Sequence, residues 1–172
     1  MVHGFAQWLQ STRLSVTIQS VDWIIPTVQS IHIVTIALVF GSLLTIALRV
    51  LGRVRTDQPL PAVLERFVPW IRNGILVLAA TGLVLIVGEP VRELMSLSFW
   101  VKMGLLACGI VSAAAFCRSV ERRPAGGDPG PTTAAKWGAV ATVVLWLLII
   151  FLGRAIAYDV EVWGPLSLSP RA

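Results

Sequence analysis

Four long apolar stretches, separated by short polar segments, dominate the pattern of this chain. They run over about 24–48, 73–89, 99–117 and 137–158. Because a helix rises ~1.5 Å per residue, about 20 apolar residues cross the ~30 Å hydrocarbon layer of a membrane. The pattern therefore predicts an all-α integral membrane bundle of four transmembrane helices, built as one domain over residues 1–172.

The segment before the first stretch is amphipathic. Phe5, Trp8 and Leu9 share one helical face, which predicts a short helix on the membrane surface. The apolar residues within 14–18 alternate as in a strand instead. The sequence leaves these two alternatives open for the second half of the segment.

Two of the segments that connect the apolar stretches have a distinctive composition. Residues 61–70 open on a proline and carry apolar residues at helical spacing, which predicts a second interfacial segment. The short second stretch is expected to borrow residues from its flanks to cross the membrane. Residues 119–135 combine proline, glycine and charge, and they predict a flexible cytoplasmic linker between two helical hairpins.

The net charge of +5 is a topology signal. Nine basic residues lie in the connections after spans one and three, against three in the other segments: Arg49, Arg53, Arg55, Arg66, Arg72, Arg118, Arg122, Arg123 and Lys136 against Arg13, Arg92 and Arg171. By the positive-inside rule both connections are cytoplasmic and both termini lie outside. Nucleic acid is therefore not an expected partner; the lipid bilayer is, and other membrane or periplasmic proteins are alternatives.

Small residues indicate which helix faces pack closely. Two sets recur at helical spacing: Gly74, Thr81 and Gly88 on span two, and Gly104, Cys108, Ser112 and Ala115 on span three. We expect both sets to meet a neighbouring helix. Trp146 falls in the middle of the fourth span, and we expect it to pack there against a helix or lipid.

Three ionisable residues lie within the predicted spans, namely His32, Lys102 and Arg154. Ionisable groups are costly in a bilayer, so each is a candidate for function. All three fall in the outer half, and Tyr158 shares a helical face with Arg154. These four residues predict a ligand-binding pocket that opens outward. The alternative is that Lys102 and Arg154 extend to the interface and that His32 bonds a neighbouring helix.

Cofactor candidates depend on His32. Copper accepts imidazole and thioether ligands, so His32 could pair with Met103 or Met95. A bis-histidine haem b site needs a second histidine, and the other one, His3, precedes the spans. Neither a zinc cluster nor a motif of soluble-type catalysis is present in the sequence. The sequence gives no support for an enzyme.

Short motifs carry a family resemblance over most of the chain. They are Ile31–Gly41, Leu48–Gly52, Pro69–Trp70, Thr81–Gly82, Phe99–Lys102 and Gly153–Tyr158. Together they resemble an uncharacterised family of small bacterial four-helix membrane proteins. The chain is also distantly similar to the membrane domain of copper-resistance D proteins, which implies a role in copper handling.

The resemblance carries over to individual residues. The intramembrane histidine of the family corresponds to His32. The acidic residue that the family usually has two positions before an arginine is Ala47 here, which leaves Arg49 without that local partner.

These observations give a leading hypothesis and two alternatives. We expect a multi-pass protein of the bacterial inner membrane that binds or passes copper or a small ligand at a periplasm-facing site. The alternatives are an electron-transfer anchor that carries haem b and a structural subunit of a membrane complex.

Overall fold

The computed structural model describes residues 2–121 and 132–168, with the side chains of 116–121 excepted. These residues form eight α-helices and no strand. The helices are α1 (Val2–Gln10), α2 (Arg13–Ser20), α3 (Ile24–Val50), α4 (Leu60–Gly88), α5 (Pro90–Leu94), α6 (Leu97–Glu121), α7 (Thr133–Ala155) and α8 (Asp159–Trp163). Two short 3₁₀ turns, Ile156–Tyr158 and Gly164–Leu166, flank α8.

Four of these helices, α3, α4, α6 and α7, are long and apolar enough to cross a membrane. The all-α bundle of four spans that the apolar pattern predicts is therefore confirmed. At ~1.5 Å per residue, the 27 residues of α3 reach ~40 Å, which exceeds the hydrocarbon layer and brings its end into the interface.

Helix α4 is longer than the sequence predicts, since it begins at Leu60 and continues without a break to Gly88. Its first turns pack against the end of α3, where Val63 and Leu64 are buried with Ile46. This burial holds the segment in line with the span even though Pro69 lies inside the helix and removes one backbone donor. The predicted segment over 61–70 is therefore helical and continuous with the second span.

Both ends of the predicted linker are helical. α6 extends to Glu121 and α7 begins at Thr133, so the predicted range of 119–135 overlaps both. The side chain of Thr132 caps α7 by accepting a hydrogen bond from the amide of Ala135 at 3.2 Å. Residues 122–131, the middle of that linker, lie outside the described residues.

Two helices precede the first span. α1 confirms that the first segment is helical, and its Ala6 is buried in a cluster with Leu94, Phe99 and Ile156. α2 follows directly, because Thr12 caps it and accepts from the amide of Ser15. The strand alternative for residues 14–18 is therefore wrong.

The long helices pack around α3, which lies along α4 and against α7, while α6 packs on α7. Val39, Leu43 and Trp146 form the centre of the bundle. Trp146 is 3% exposed, as the prediction of a packing role requires, and its indole nitrogen is the only buried side-chain polar atom without a partner among the described residues.

The short helices α1, α2, α5 and α8 gather where α3 and α6 begin and where α4 and α7 end. We call this the capped end of the bundle. The connections 51–59 and 122–131 join the opposite ends of the spans.

The two predicted packing ridges have different outcomes. On α4, Gly74 lies against Val39, and Gly88 lies against Ile25 and Ile18. On α6 the small residues are exposed, and a side chain at Gly104 would have no atom within 4 Å. Within the described chain, the prediction of close packing is thus correct for the ridge on α4 and wrong for that on α6.

Candidate functional site

His32 faces α4 and is joined to it by one hydrogen bond. Its Nδ1 lies 2.7 Å from Oγ1 of Thr81. That hydroxyl already donates its proton to the carbonyl of Val77, at 2.7 Å. It can therefore only accept from the imidazole, which places the His32 proton on Nδ1 and leaves Nε2 with a free lone pair.

Nε2 of His32 has no hydrogen-bond partner among residues 2–121 and 132–168. Gly82 lies beside the ring, since a side chain there would begin 3.8 Å from Cε1. A neutral imidazole with a free Nε2 can accept a proton, accept a hydrogen bond or bind a metal. This atom is the chemically available group of the site.

Lys102 extends from α6 toward α7. Its Nζ lies 3.7 Å from the point where a side chain at Gly153 of α7 would begin, so the glycine leaves the space that the ammonium group occupies. Lys102 is half-buried, and the described parts of the chain offer it no hydrogen bond or ion pair. Its charge acts on the imidazole of His32.

Glu93 belongs to α5 at the capped end, and the charge of Lys102 acts on its carboxyl group. Burial raises the pKa of the Glu93 carboxyl above its ordinary value, and the positive charges of Lys102 and Arg92 oppose this only in part. Glu89 adds to the increase, although it also forms an ion pair with Arg92 at 2.7 Å.

The three titratable groups lie at increasing depth from the capped end. Glu93 precedes the span, Lys102 lies about five residues or ~7.5 Å into α6, and His32 lies about eight residues or ~12 Å into α3. Ionisable side chains at such depth usually face the interior of a bundle and mark the route or site of a ligand. We refer to His32, Thr81 and Lys102 as the inner polar site.

Arg154 and Tyr158 occupy a different surface. Nη2 of Arg154 donates to the hydroxyl of Tyr158 at 3.2 Å, and the guanidinium carbon lies 5.1 Å from the centre of the tyrosine ring. Both side chains are exposed. Arg154 follows Gly153, so it is turned by ~100° from the face of α7 that meets Lys102. The structure pairs Arg154 with Tyr158 on the outside, whereas His32 bonds Thr81 of α4 and Lys102 lies at Gly153 of α7; the charge of Lys102 acts on His32, but no hydrogen bond joins these two side chains in the described chain.

Met103, the second metal-ligand candidate, packs against the apolar cluster of the capped end, which contains Phe99 and Leu94. Groups of three or more His, Cys, Asp or Glu side chains that could hold a metal ion are not found among the described residues. A metal ion bound at His32 would therefore need ligands other than a cluster of these side chains.

A buried carboxylate that sequence reasoning missed holds the start of α6. Oδ1 of Asp159, which is 5% exposed, accepts from the Ser96 hydroxyl at 2.7 Å and from the amide of Ser98 at 3.1 Å. Its Oδ2 accepts from the hydroxyl of Ser167 at 2.6 Å. Trp163 donates its indole proton to the hydroxyl of Ser98 at 2.7 Å.

Part of this arrangement has a sequence signal. A serine directly before an apolar helical run is typical of a helix cap, and the Ser96 hydroxyl indeed accepts from the amide of Phe99 at 3.3 Å. The partner Asp159 is more than 60 residues away in the sequence, and no local pattern could identify it. Its contacts are those of a group that anchors α8 to α6.

Arg49 has a comparable structural role at the opposite end. Its Nε and Nη2 both donate to the carbonyl oxygen of Gln58, at 2.8 and 2.6 Å, and its side chain is buried. A backbone carbonyl in the connection between α3 and α4 thus satisfies the guanidinium.

Comparisons with known proteins bear on the chain as a whole. Searches of curated proteins and of solved structures gave no match. One family model matches residues 5–159, a range that includes all four spans and the inner polar site. Because this match covers most of its length, the chain belongs to the family of unknown function DUF6644.

Proposed function

We propose that this protein is a multi-pass protein of the bacterial inner membrane that binds a small ligand at the inner polar site. Four spans support the membrane assignment. The excess of basic residues in the two connections opposite the capped end supports a periplasmic position for the capped end. The inner polar site would then be reached from the periplasm. The immediate partner of the whole protein is the lipid bilayer.

The observation that carries the proposal is the hydrogen bond between His32 and Thr81. It fixes the imidazole so that Nε2 is a free acceptor, while the ammonium group of Lys102 is a free donor and positive charge nearby. Such a pair suits a ligand that has a hydroxyl or acid proton for Nε2 and an oxygen acceptor or negative charge for Lys102. A weak organic acid or a hydroxylated carbonyl compound has both.

Copper is the second candidate. The free Nε2 of His32 is a suitable copper ligand, and the distant similarity to copper-resistance D proteins favours this metal. The neighbouring positive charge of Lys102 opposes a cation at the same place, and Met103 packs in another cluster. The organic ligand therefore has the better electrostatic fit.

A haem b anchor and a structural subunit are the remaining alternatives. A free Nε2 is also the atom that would bind haem iron, but the second axial ligand would have to come from outside the inner polar site. A subunit of a larger complex would need a partner among the membrane or periplasmic proteins. The haem alternative predicts a haem band in the visible spectrum, and the subunit alternative predicts a co-purified protein. Neither is expected for a small organic ligand.

The experiment is a ligand analysis of protein purified gently from membranes. We expect an organic compound in the denatured extract by mass spectrometry, no haem band in the visible spectrum and less than stoichiometric copper by elemental analysis. The variants His32→Ala and Lys102→Met should each lose the compound. The matched controls, His3→Ala and Lys136→Met, alter exposed residues outside the site and should retain it.

Other outcomes contradict the proposal. Stoichiometric copper or haem that is lost in His32→Ala would establish the corresponding alternative. Retention of the compound in both site variants would show that it binds elsewhere. Melting temperatures of all variants in detergent separate a loss of binding from a loss of folding, since a single hydrogen bond inside a membrane bundle contributes only ~0.6 kcal/mol on average.

A further inference from the structure

A shallow, open apolar groove, lined by residues of α7 alone, runs along the outer face of this helix and ends at a positive charge. Its volume is about 520 Å³, and it is lined by Val144, Leu147, Leu148, Ile150, Phe151 and Arg154. Most of these side chains are exposed, with Phe151 at 68%. The groove lies on the side of α7 away from Trp146 and Gly153, which face the bundle.

The length of the groove matches one leaflet of a bilayer. Val144 and Arg154 are ten residues apart, which corresponds to ~15 Å along a helix and to half of a ~30 Å hydrocarbon layer. Arg154 lies in the last turn of α7, where the span approaches the interface. The groove thus has the dimensions of an acyl chain, with the guanidinium at the depth of a headgroup.

The polar end of the groove is arranged to receive an anion. The hydroxyl of Tyr158 accepts from Nη2 of Arg154, so its own proton is directed to another acceptor. The remaining guanidinium donors of Arg154 have no carboxylate partner among the described residues. The ion pair found there joins Arg92 and Glu89. A phosphate group can accept from both side chains, and a guanidinium binds phosphate in a bidentate manner.

We propose that this groove binds one anionic phospholipid of the leaflet in which the capped end lies. The phosphate accepts hydrogen bonds from Arg154 and Tyr158, and an acyl chain lies along Leu147 and Phe151. The proposal is independent of the ligand at the inner polar site, because Gly153 and not Arg154 meets Lys102.

Native mass spectrometry of the full chain in detergent tests the site. The protein is titrated with phosphatidylglycerol and, separately, with phosphatidylcholine of the same acyl chains. We expect wild type to retain one phosphatidylglycerol in preference to phosphatidylcholine. Arg154→Gln should weaken the binding of phosphatidylglycerol about tenfold, the order of effect of one charge-assisted hydrogen bond, and should leave phosphatidylcholine unchanged.

Two further variants distinguish a built site from general charge attraction. Arg154→Lys keeps the charge but not the bidentate fork, so we expect it to bind less tightly than wild type. Arg92→Gln removes an exposed charge at the same end of the bundle and should bind as wild type does.

Equal retention of the two lipids by wild type would overturn the proposal, as would unchanged binding in Arg154→Gln. Equal losses in Arg154→Gln and Arg92→Gln would show attraction to net charge only and would also overturn it. A thermal melt of each variant ensures that folded proteins are compared.

Discussion

Val39 of α3 occupies the space into which a side chain at Gly74 of α4 would extend. Val39 has no exposed surface, so it has little room to move away. The absence of a side chain at residue 74 therefore sets how closely the two helices approach. This contact lies in the same pair of helices that aligns His32 with Thr81, and it supports the position of the inner polar site.

Gly74→Ala should consequently destabilise the bundle, by about 1–3 kcal/mol, since extra atoms in a packed interior force side chains or helices apart. The matched control is Gly104→Ala on α6, where the new methyl group would have no atom within 4 Å. That control should be neutral or stabilising by up to ~1 kcal/mol, because alanine favours a helix over glycine. Thermal unfolding in detergent measures both. Equal stability of the two variants would contradict the close contact.

The tautomer of His32 is a second testable consequence. The chain has only two histidines, so a nitrogen spectrum of histidine-labelled protein contains two imidazoles. We expect His32 to be neutral with its proton on Nδ1. Thr81→Val should remove this preference, whereas Thr142→Val, which deletes a hydroxyl bonded only within α7, should not. A His32 proton on Nε2 in wild type would refute the assignment and weaken the proposed ligand chemistry.

Asp159 should contribute strongly to stability. Asp159→Asn replaces a carboxylate that accepts three hydrogen bonds by an amide that can accept on one atom only, and we expect a loss of about 2 kcal/mol. Glu161→Gln makes the same chemical change at an exposed position of α8 and should have almost no effect. The melting temperatures of the two variants give the comparison. A similar loss in both would show that the buried contacts of Asp159 add little.

Glu93 should make stability depend on pH. Burial raises its pKa, so the folded state favours the protonated form. The penalty for the charged form is absent below the unfolded pKa, near the ordinary value of 4.5, and grows as the pH rises through the folded pKa. Glu93→Gln should therefore raise the melting temperature at neutral pH and have less effect near pH 4.

Three neighbouring charges enter this prediction. Lys102 and Arg92 lower the pKa of Glu93 and Glu89 raises it. Glu161→Gln serves as the control, because its carboxylate is exposed and is not among the charges that act on Glu93. A stabilisation by Glu93→Gln that is equal at both pH values would indicate a packing effect instead of a charge effect.

Membrane orientation is predicted from the basic connections and can be tested with single cysteines. With Cys108 and Cys117 replaced by alanine, Glu161→Cys reports on the capped end and Thr56→Cys on the connection between α3 and α4; both positions are exposed. An impermeant maleimide added to intact spheroplasts should label the former and not the latter. The reverse pattern would place the inner polar site on the cytoplasmic side.

The sequence by itself determined the four spans. Burial of ~20 apolar residues in a bilayer is a local requirement that each segment meets alone, so the apolar pattern is sufficient to predict it. It also identified His32 and Lys102, since an ionisable residue in an apolar stretch is conspicuous without a structure. The depth of these residues follows from the helical rise.

Only the tertiary structure decided which helix faces meet. The small residues of α4 and α6 have similar spacing, yet Gly74 lies against Val39 and Gly104 is exposed. Helical periodicity states which residues share a face, but the neighbour of that face depends on how all four helices pack. For the same reason Lys102 lies against Gly153 while Arg154 turns outward to Tyr158, and Asp159 reaches Ser96 across more than 60 residues of sequence.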